Sequence, residues 1–460
     1  LRTKHRLAHA KAAARPPMSK AATLSPPRSW LQRLNTPAAF RALIALFAIV
    51  LLVYGGIAVA NALLPGKSIK DYELWHDTGQ RILHGEQIYP KRNTKFPFMY
   101  PPSAALLLAP ISALGRTGIV VTLSIVNAAA WLASILLSAR LVAGNWRRQP
   151  LLLYLIPSAL VAVYIWSCFH LGQPSVLLLA LMLGAFVALQ EKRQILAGSL
   201  IALAAAIKAF PVVAILYLLY RRSWMASASL LLALVILLIA LPAPFRGFEQ
   251  ARYDLQRWAS GMLFKYDDKG LAQRPGRSNS WKNQSIFGLA NRMLRHIDAD
   301  EQYDAHTPIY KNIADLSFTA VNRFILTAGL LLGLAYLAVL PRAAQRTRET
   351  DAIEFALLLL LMLMFTPLAF GYLFAWLLYP FAVVVWRSLV QPRRQLLAPT
   401  ALAVLLLAVT IPLQRTAQMY GNVFFATLVL FLALAWELWR LKKESSTLKS
   451  GAHMPPPLLV

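Results

Sequence analysis

The chain of 460 residues carries 47 Lys and Arg against 19 Asp and Glu, a formal net charge of +28, yet only 14% of its residues are charged and 58% are hydrophobic. With a mean hydropathy of +0.53, this excludes the two or three soluble domains usual at such a length and points to one bundle of membrane helices. The basic excess gathers at the ends and in short loops, which reads as orientation signal and contact with anionic lipid. A nucleic-acid surface is the weaker reading, because no soluble basic domain exists to carry one.

Residues 1–41 hold nine Lys or Arg and no Asp or Glu, with Pro16-Pro17 and Pro26-Pro27 breaking any helix, so they form a disordered basic arm on the cytoplasmic side. Ala42 to Leu64 is an uncharged run of 23, too long for a signal-peptide core, and is read as an uncleaved first span leading outward. The extracytoplasmic loop 65–102 then breaks the hydrocarbon pattern with Asp71-Tyr72-Glu73-Leu74-Trp75-His76-Asp77, Gly85, Tyr89 and Tyr100-Pro101-Pro102. Asp71 fits an N-cap, Glu73 the first turn, and Trp75, Ile82 and Leu83 one side of a helix that Gly85 stops, which together make a short amphipathic helix lying in the interface. On composition alone, Asp71 either caps this helix, with Trp75 and Tyr89 in the aromatic belt, or carries chemistry.

Two runs follow at 103–114 and 117–139, read as a hairpin with Gly115-Arg116 at a cytoplasmic tip. Runs at 151–166 and 176–189 flank His170-Leu171-Gly172-Gln173-Pro174. The next, 196–219, contains Lys208 and Pro211, and 224–241 follows it. The last five are 318–340, 353–370, 371–385, 396–411 and 423–436, for a total of about twelve spans. Counted from an inside N terminus, Arg116, Arg221-Arg222, the Arg342 to Arg348 cluster, Arg387 to Arg394 and Arg440, Lys442 and Lys443 fall in the cytoplasm, as does the tail 441–460. Arg140, Arg147, Arg148, Lys192 and Arg193 fall outside, against the positive-inside rule. The same count leaves 246–317 outside as a long loop of mixed charge with Trp258, Tyr266 and Trp281, the kind of segment that forms lids or binding surfaces. Within it Asn283-Gln284-Ser285 matches an N-glycosylation acceptor, a motif common by chance.

The ordered set Asp71-Tyr72, a helix ending at Gly85, Tyr89, Tyr100-Pro101-Pro102 and Pro110, then Gly172-Gln173, Lys208 with Pro211, Asn283-Gln284-Ser285 with Arg292, and Thr366-Pro367 resembles glycosyltransferase family 87, the bacterial membrane mannosyltransferases of the GT-C fold. The resemblance covers roughly residues 42 to 440. It implies an all-α, polytopic, GT-C-like domain in the bacterial inner membrane, with a polyprenyl-phosphate sugar, mannose first, as donor. It further implies a hydroxyl of a glycolipid or glycan as acceptor, reaction on the extracytoplasmic face, and Asp71 as catalytic base. Family members often carry Trp and His after the late proline, where this chain has Leu368-Ala369-Phe370-Gly371-Tyr372.

Inverting transfer from a lipid phosphate needs one base for the acceptor proton and cationic or amide donors for the leaving phosphate, which departs already ionised and needs no protein acid. Lys208, read as the only charge deep within an expected span, is the candidate for that phosphate, against a snorkelling lysine near a misplaced helix end. Arg292, Asn283 and Gln284 could complete a clamp, against a loop packed on itself. Glu73 and Asp77 share a side at four-residue spacing and either face water or bind acceptor hydroxyls; His76, Tyr100 and Gln173 complete the acceptor and sugar candidates. His76, Asp77 and His84 lack the spacing of a zinc or calcium site, so no metal or other cofactor is expected, with a divalent ion at the donor phosphate left open. Cys168 and His170 read as packing. The alternative from another class is a transporter or flippase for a lipid-linked sugar, which calls for several buried charges along a path; a third is a non-catalytic partner in envelope assembly.

Overall fold

The computed structural model describes residues 34–89, 98–263, 279–300, 307–390 and 394–451. The basic arm up to residue 33, Tyr266 and the end of the tail lie outside the described residues. The described chain is helical, as its long apolar runs require once backbone groups must be satisfied away from water. In chain order the helices are α1 (Pro37–Leu63), α2 (Asp71–Leu83), α3 (Pro102–Ser112), α4 (Gly115–Ala143), α5 (Leu151–Leu160), α6 (Ala162–Leu171), α7 (Ser175–Gln190), α8 (Gln194–Ile207) and, after a short 3-10 turn, α9 (Ala214–Tyr220). Then come α10 (Trp224–Val235), α11 (Phe248–Trp258), α12 (Ile286–Leu294), α13 (Phe318–Val339), α14 (Arg348–Phe365), α15 (Leu378–Val390), α16 (Arg394–Ala408), α17 (Thr410–Met419) and α18 (Asn422–Gly451). Among the described residues six helical segments are long and apolar enough to cross a bilayer, or up to eight if the bent pairs α5–α6 and α16–α17 each count as one span. The all-α polytopic architecture is as expected, but the count of about twelve is not reached by these criteria, because several of the apolar runs fold as helices of 10 to 17 residues.

Contacts between loops sort the bundle into two ends. At one end Asn35 Oδ1 accepts from Leu151 N at 2.8 Å and the Arg148 guanidinium lies over Phe40. Arg348 Nη1 donates to Gly144 O, Arg140 pairs with Glu191, and Arg387 is held between Glu349 and Glu437. Arg221 Nη1 donates to Pro341 O at 2.9 Å and Lys442 Nζ to Ala338 O at 2.7 Å. Nearly all of the basic clusters meet there. The other end gathers Lys67, α2, Gly172, Arg246, α12 and the 366–372 segment: Arg116 donates to Lys67 O, Arg246 Nη2 to Glu86 O, and Gln284 N to Ala369 O.

This arrangement corrects the expected topology between 103 and 220. A helix of 11 residues rises only about 16 Å, and α3 therefore does not carry the chain across a core about 30 Å thick. It runs beside α2, with Gln80 Nε2 donating to Ser112 O at 2.8 Å. Arg116 consequently lies at the same end as Lys67, opposite the end where most of the basic clusters meet. Arg140, Arg147, Arg148, Lys192 and Arg193 move to the basic end, which removes their conflict with the positive-inside rule.

The described parts of the long loop pack over the end that holds α2 as a cap. α11 packs on α3, and Trp258 Nε1 donates to Met99 O at 3.1 Å. A buried pair of Arg246 Nη2 and Asp254 Oδ2 at 3.1 Å fixes its start, and burial raises the Asp254 carboxyl above its ordinary value while Arg246 pulls the other way. Removing one member of such a pair costs about 3–5 kcal/mol, since the survivor is left charged in a dry site.

Candidate active site

The element that positions the site is α2. Its N-cap is Lys70, at φ +59°, and makes no side-chain cap bond, so Asp71 is the first helical residue and does not cap its own helix. Gly85, at φ +72°, closes the far end as expected, with Glu86 N donating to Arg81 O at 2.8 Å. Tyr72, Trp75, Thr78 and Gly79 face inward. The Tyr72 hydroxyl donates to Phe169 O and Trp75 Nε1 to Gly172 O, both at 2.8 Å, which pins α2 across the C terminus of α6. Burial pushes the Tyr72 phenol up to about 12, so it stays a donor. Gly172 takes φ +72°, and a Cβ there would stand 2.8 Å from the Tyr72 ring, so the close approach of helix and turn needs glycine on both grounds.

That turn delivers Gln173 to Asp71. Gln173 Nε2 donates to Asp71 Oδ2 at 2.6 Å, and the Tyr100 hydroxyl donates to Gln173 Oε1 at 2.7 Å. Burial pushes the Tyr100 phenol well above its ordinary value, with Tyr372 and Asp71 adding to the effect, so it too remains protonated. The Lys208 ammonium stands 5.5 Å from the centre of the Tyr100 ring and 4.9 Å from that of Tyr372. Lys208 ends α8 in extended backbone, at the break before the Phe210–Val213 turn, rather than inside one continuous span. Asp71, Gln173, Tyr100 and Lys208, scattered over 138 positions of sequence, thus form one linked group.

Beside this group opens a cavity of about 850 Å³. Lys208, Tyr100 and Tyr372 line it at the site end, together with Trp258 and Met262 from the long loop and Pro367 from the segment after α14. Its other end reaches Tyr217 and Tyr336, which bond Glu354. The walls between are hydrocarbon, and Leu216 of α9 with Leu330 and Leu334 of α13 line the cavity while remaining exposed on the flank of the bundle. A cation at one end and apolar walls behind it suit an anionic head with a long apolar tail.

The other expected site residues lie elsewhere. Glu73 and Asp77 are exposed on the face of α2 opposite its buried side, where Asp77 Oδ1 is 3.4 Å from His76 Nδ1. Arg292 is fully buried and donates to the carbonyls of Met419, Ser280, Asn283 and Gln418 at 2.8–3.2 Å. Burial lowers its guanidinium to about 9, still charged near neutral pH. Asn283 Nδ2 donates to Pro367 O and its Oδ1 accepts from Ala369 N, while Gln284 Nε2 donates to Trp281 O and Gln418 O. These three tie α12 to the segments at 367–369 and 418–419 and so frame the cavity from outside. Fully buried, Asn283 is also inaccessible as a glycosylation acceptor. Lys208 is not the sole charge within an apolar run: Glu354 is buried in α14 and meets Arg221 at 2.5 Å. The sequence held that signal, a Glu one residue into the run starting at Ile353. Tyr372, by contrast, carries no sequence signal beyond its place in the stretch that departs from the family pattern. Among the described residues no three His, Cys, Asp or Glu side chains group as metal ligands would.

An all-helical membrane bundle that sets a carboxylate and an amide beside an apolar cavity, with a lysine lining it, has the layout of a membrane group-transfer enzyme. The model of glycosyltransferase family 87 matches residues 98–367, more than half of the chain, and the chain belongs to that family. Asp71 lies upstream of the matched stretch. A crystal structure of ArnT from Cupriavidus metallidurans bound to undecaprenyl phosphate is similar at 15% identity and a TM-score of 0.41, covering 91% of this chain and 82% of that one. No curated protein matches the chain.

Proposed function

We propose that this membrane glycosyltransferase moves mannose from a polyprenyl-phosphate donor to a hydroxyl of a glycolipid or glycan, with inversion and with Asp71 as the base. The observation that carries the reading is the arrangement of Lys208 at the head of the apolar cavity, with Asp71 linked to it through the Gln173 amide and the ring of Tyr100. The donor phosphate meets the Lys208 ammonium and its tail follows the hydrocarbon wall toward the exposed flank at Leu216 and Leu330. Asp71 accepts the proton of the acceptor hydroxyl as that oxygen bonds to the anomeric carbon. The bond from that carbon to the phosphate oxygen breaks, and the lipid phosphate leaves with the added negative charge beside Lys208. One carboxylate is enough for this, which fits the placement of Glu73 and Asp77 away from Asp71.

Purified protein in liposomes should transfer labelled mannose to a lipid acceptor from polyprenyl-phosphate mannose and not from nucleotide-mannose. Transfer from the nucleotide donor alone would overturn the donor assignment.

By the positive-inside rule the basic end lies in the cytoplasm, which puts Asp71 and Lys208 on the extracytoplasmic side. The native thiol, Cys168, is buried and gives little background, so single introduced thiols report orientation cleanly. A membrane-impermeant maleimide added to intact cells should label the exposed position 67 in Lys67→Cys and leave Arg147→Cys unlabelled until the membrane is opened. The reverse pattern would invert the protein.

A further inference from the structure

Tyr100 touches both halves of the site. Its hydroxyl donates to Gln173 Oε1, and the other end of that amide donates to Asp71. Its ring lies 5.5 Å from the Lys208 ammonium. The residue is itself held firmly: its carbonyl accepts from the Tyr89 hydroxyl at 2.6 Å, and its ring meets Trp75 edge-on at 4.8 Å between centres. Trp75 in turn bonds Gly172 O, and Gln173 N donates to Cys168 O at 2.9 Å, so the backbone carrying the amide is fixed as well.

The direction of the chain follows from its ends. A carboxylate only accepts, so it must face the NH₂ of Gln173, which turns the amide oxygen toward Tyr100, where a phenol O–H is the donor available. Reversing the amide would set its oxygen against Asp71 and its NH₂ against the phenol. With Oε1 and one N–H engaged in this way, Gln173 serves the carboxylate rather than a sugar hydroxyl.

We propose that Tyr100 is a positioning residue that couples the two ends of the reaction: through Gln173 its hydroxyl fixes the Asp71 carboxylate, and through its ring face it seats the Lys208 ammonium. The inference rests on the reading of Asp71 as base and Lys208 as phosphate ligand. It adds that base and cation are set in register by one side chain, so that the acceptor proton and the leaving phosphate are handled at a fixed separation. Aromatic faces attract ammonium ions most strongly where water is scarce, as at the head of this cavity.

The two functions of Tyr100 separate by substitution. Tyr100→Phe keeps the ring and removes the hydroxyl, and should lower kcat about ten- to hundred-fold, the usual scale for a misplaced reacting group, while donor KM changes little. Gln173→Met should give the same kcat loss, and the double variant should be no worse than either single one, because both cut a single chain. Tyr100→Leu also loses the ring face and should raise donor KM about three- to ten-fold, the range of a cation–π contact. Asp71→Asn is measured alongside. A Tyr100→Phe enzyme with wild-type kcat, or losses that add in the double variant, overturns the coupling while a dead Asp71→Asn enzyme leaves the reaction assignment standing. An active Asp71→Asn enzyme overturns that assignment itself. Tyr100→Phe retains the packing on Trp75, so the decision rests on a variant that keeps the aromatic frame.

Discussion

Asp71→Asn should lose glycosyl transfer by about 10²–10⁴-fold, the range general base catalysis supplies, while the protein inserts, folds and binds donor as the wild type does. The substitution keeps the shape and the position at the start of α2. Since the carboxylate caps nothing, no helix end is deprived of a partner. The amide can still accept from Gln173 Nε2 through its oxygen, so the link to Tyr100 survives. What disappears is a group able to take a proton from an acceptor hydroxyl. The measurement is initial transfer rate from polyprenyl-phosphate mannose in liposomes, with donor binding and thermal unfolding on the same preparations. A variant that transfers at the wild-type rate would remove Asp71 from the chemistry. One that unfolds would show that the carboxylate supports the turn at Gly172 instead. A transport protein for a lipid-linked sugar would move lipid without transfer in either form.

Much of this candidate site is legible in the sequence, for particular reasons. Asp71, Tyr100, Gln173 and Lys208 were legible because each is polar or aromatic where hydrocarbon is the rule, and misplaced polarity in a membrane chain carries information. That they converge was not legible, since bonds between residues 71 and 173 or 100 and 173 leave no local periodicity. The end of α2 at Gly85 was legible from the need for a left-handed residue. Its start was not, because Lys70 adopts a positive φ with no sequence mark and takes the cap position that Asp71 fits better chemically. Arg292, Asn283 and Gln284 show the opposite case, since their side chains are taken up by backbone carbonyls. Polar residues on a loop suggest ligands, yet a loop folded into a buried cap has many backbone carbonyls to satisfy, and a guanidinium with five donors answers several at once. The run 103–114 has the hydropathy of a crossing and not the length of one. Its length matches a helix that lies against the amphipathic α2.

Lys208→Met should reduce kcat/KM for the lipid-phosphate donor by about 10²–10³-fold, the scale of removing one donor aimed at developing charge. Among the described residues the Lys208 side chain makes no hydrogen bond or salt bridge; it faces the rings of Tyr100 and Tyr372 with the Asp71 carboxylate within Coulombic reach, so most of its charge is left for whatever enters the cavity. Bound to a phosphodiester, it faces a single negative charge; as the glycosidic bond breaks, that phosphate becomes a dianion. The attraction grows along the reaction, and kcat should therefore fall along with the rise in donor KM. Met fills nearly the same volume without a charge, so the thermal midpoint should hold or rise, because no partner is left uncompensated. Lys208→Arg keeps the charge but puts a broad planar group between two rings that hold a compact ammonium, and should recover donor binding better than kcat. Loss of binding together with a lower midpoint in Lys208→Met would instead mark the lysine as part of the packing between α8 and the Phe210–Val213 turn. A donor KM and kcat both unchanged would place the phosphate elsewhere, and with it the direction from which the sugar meets Asp71.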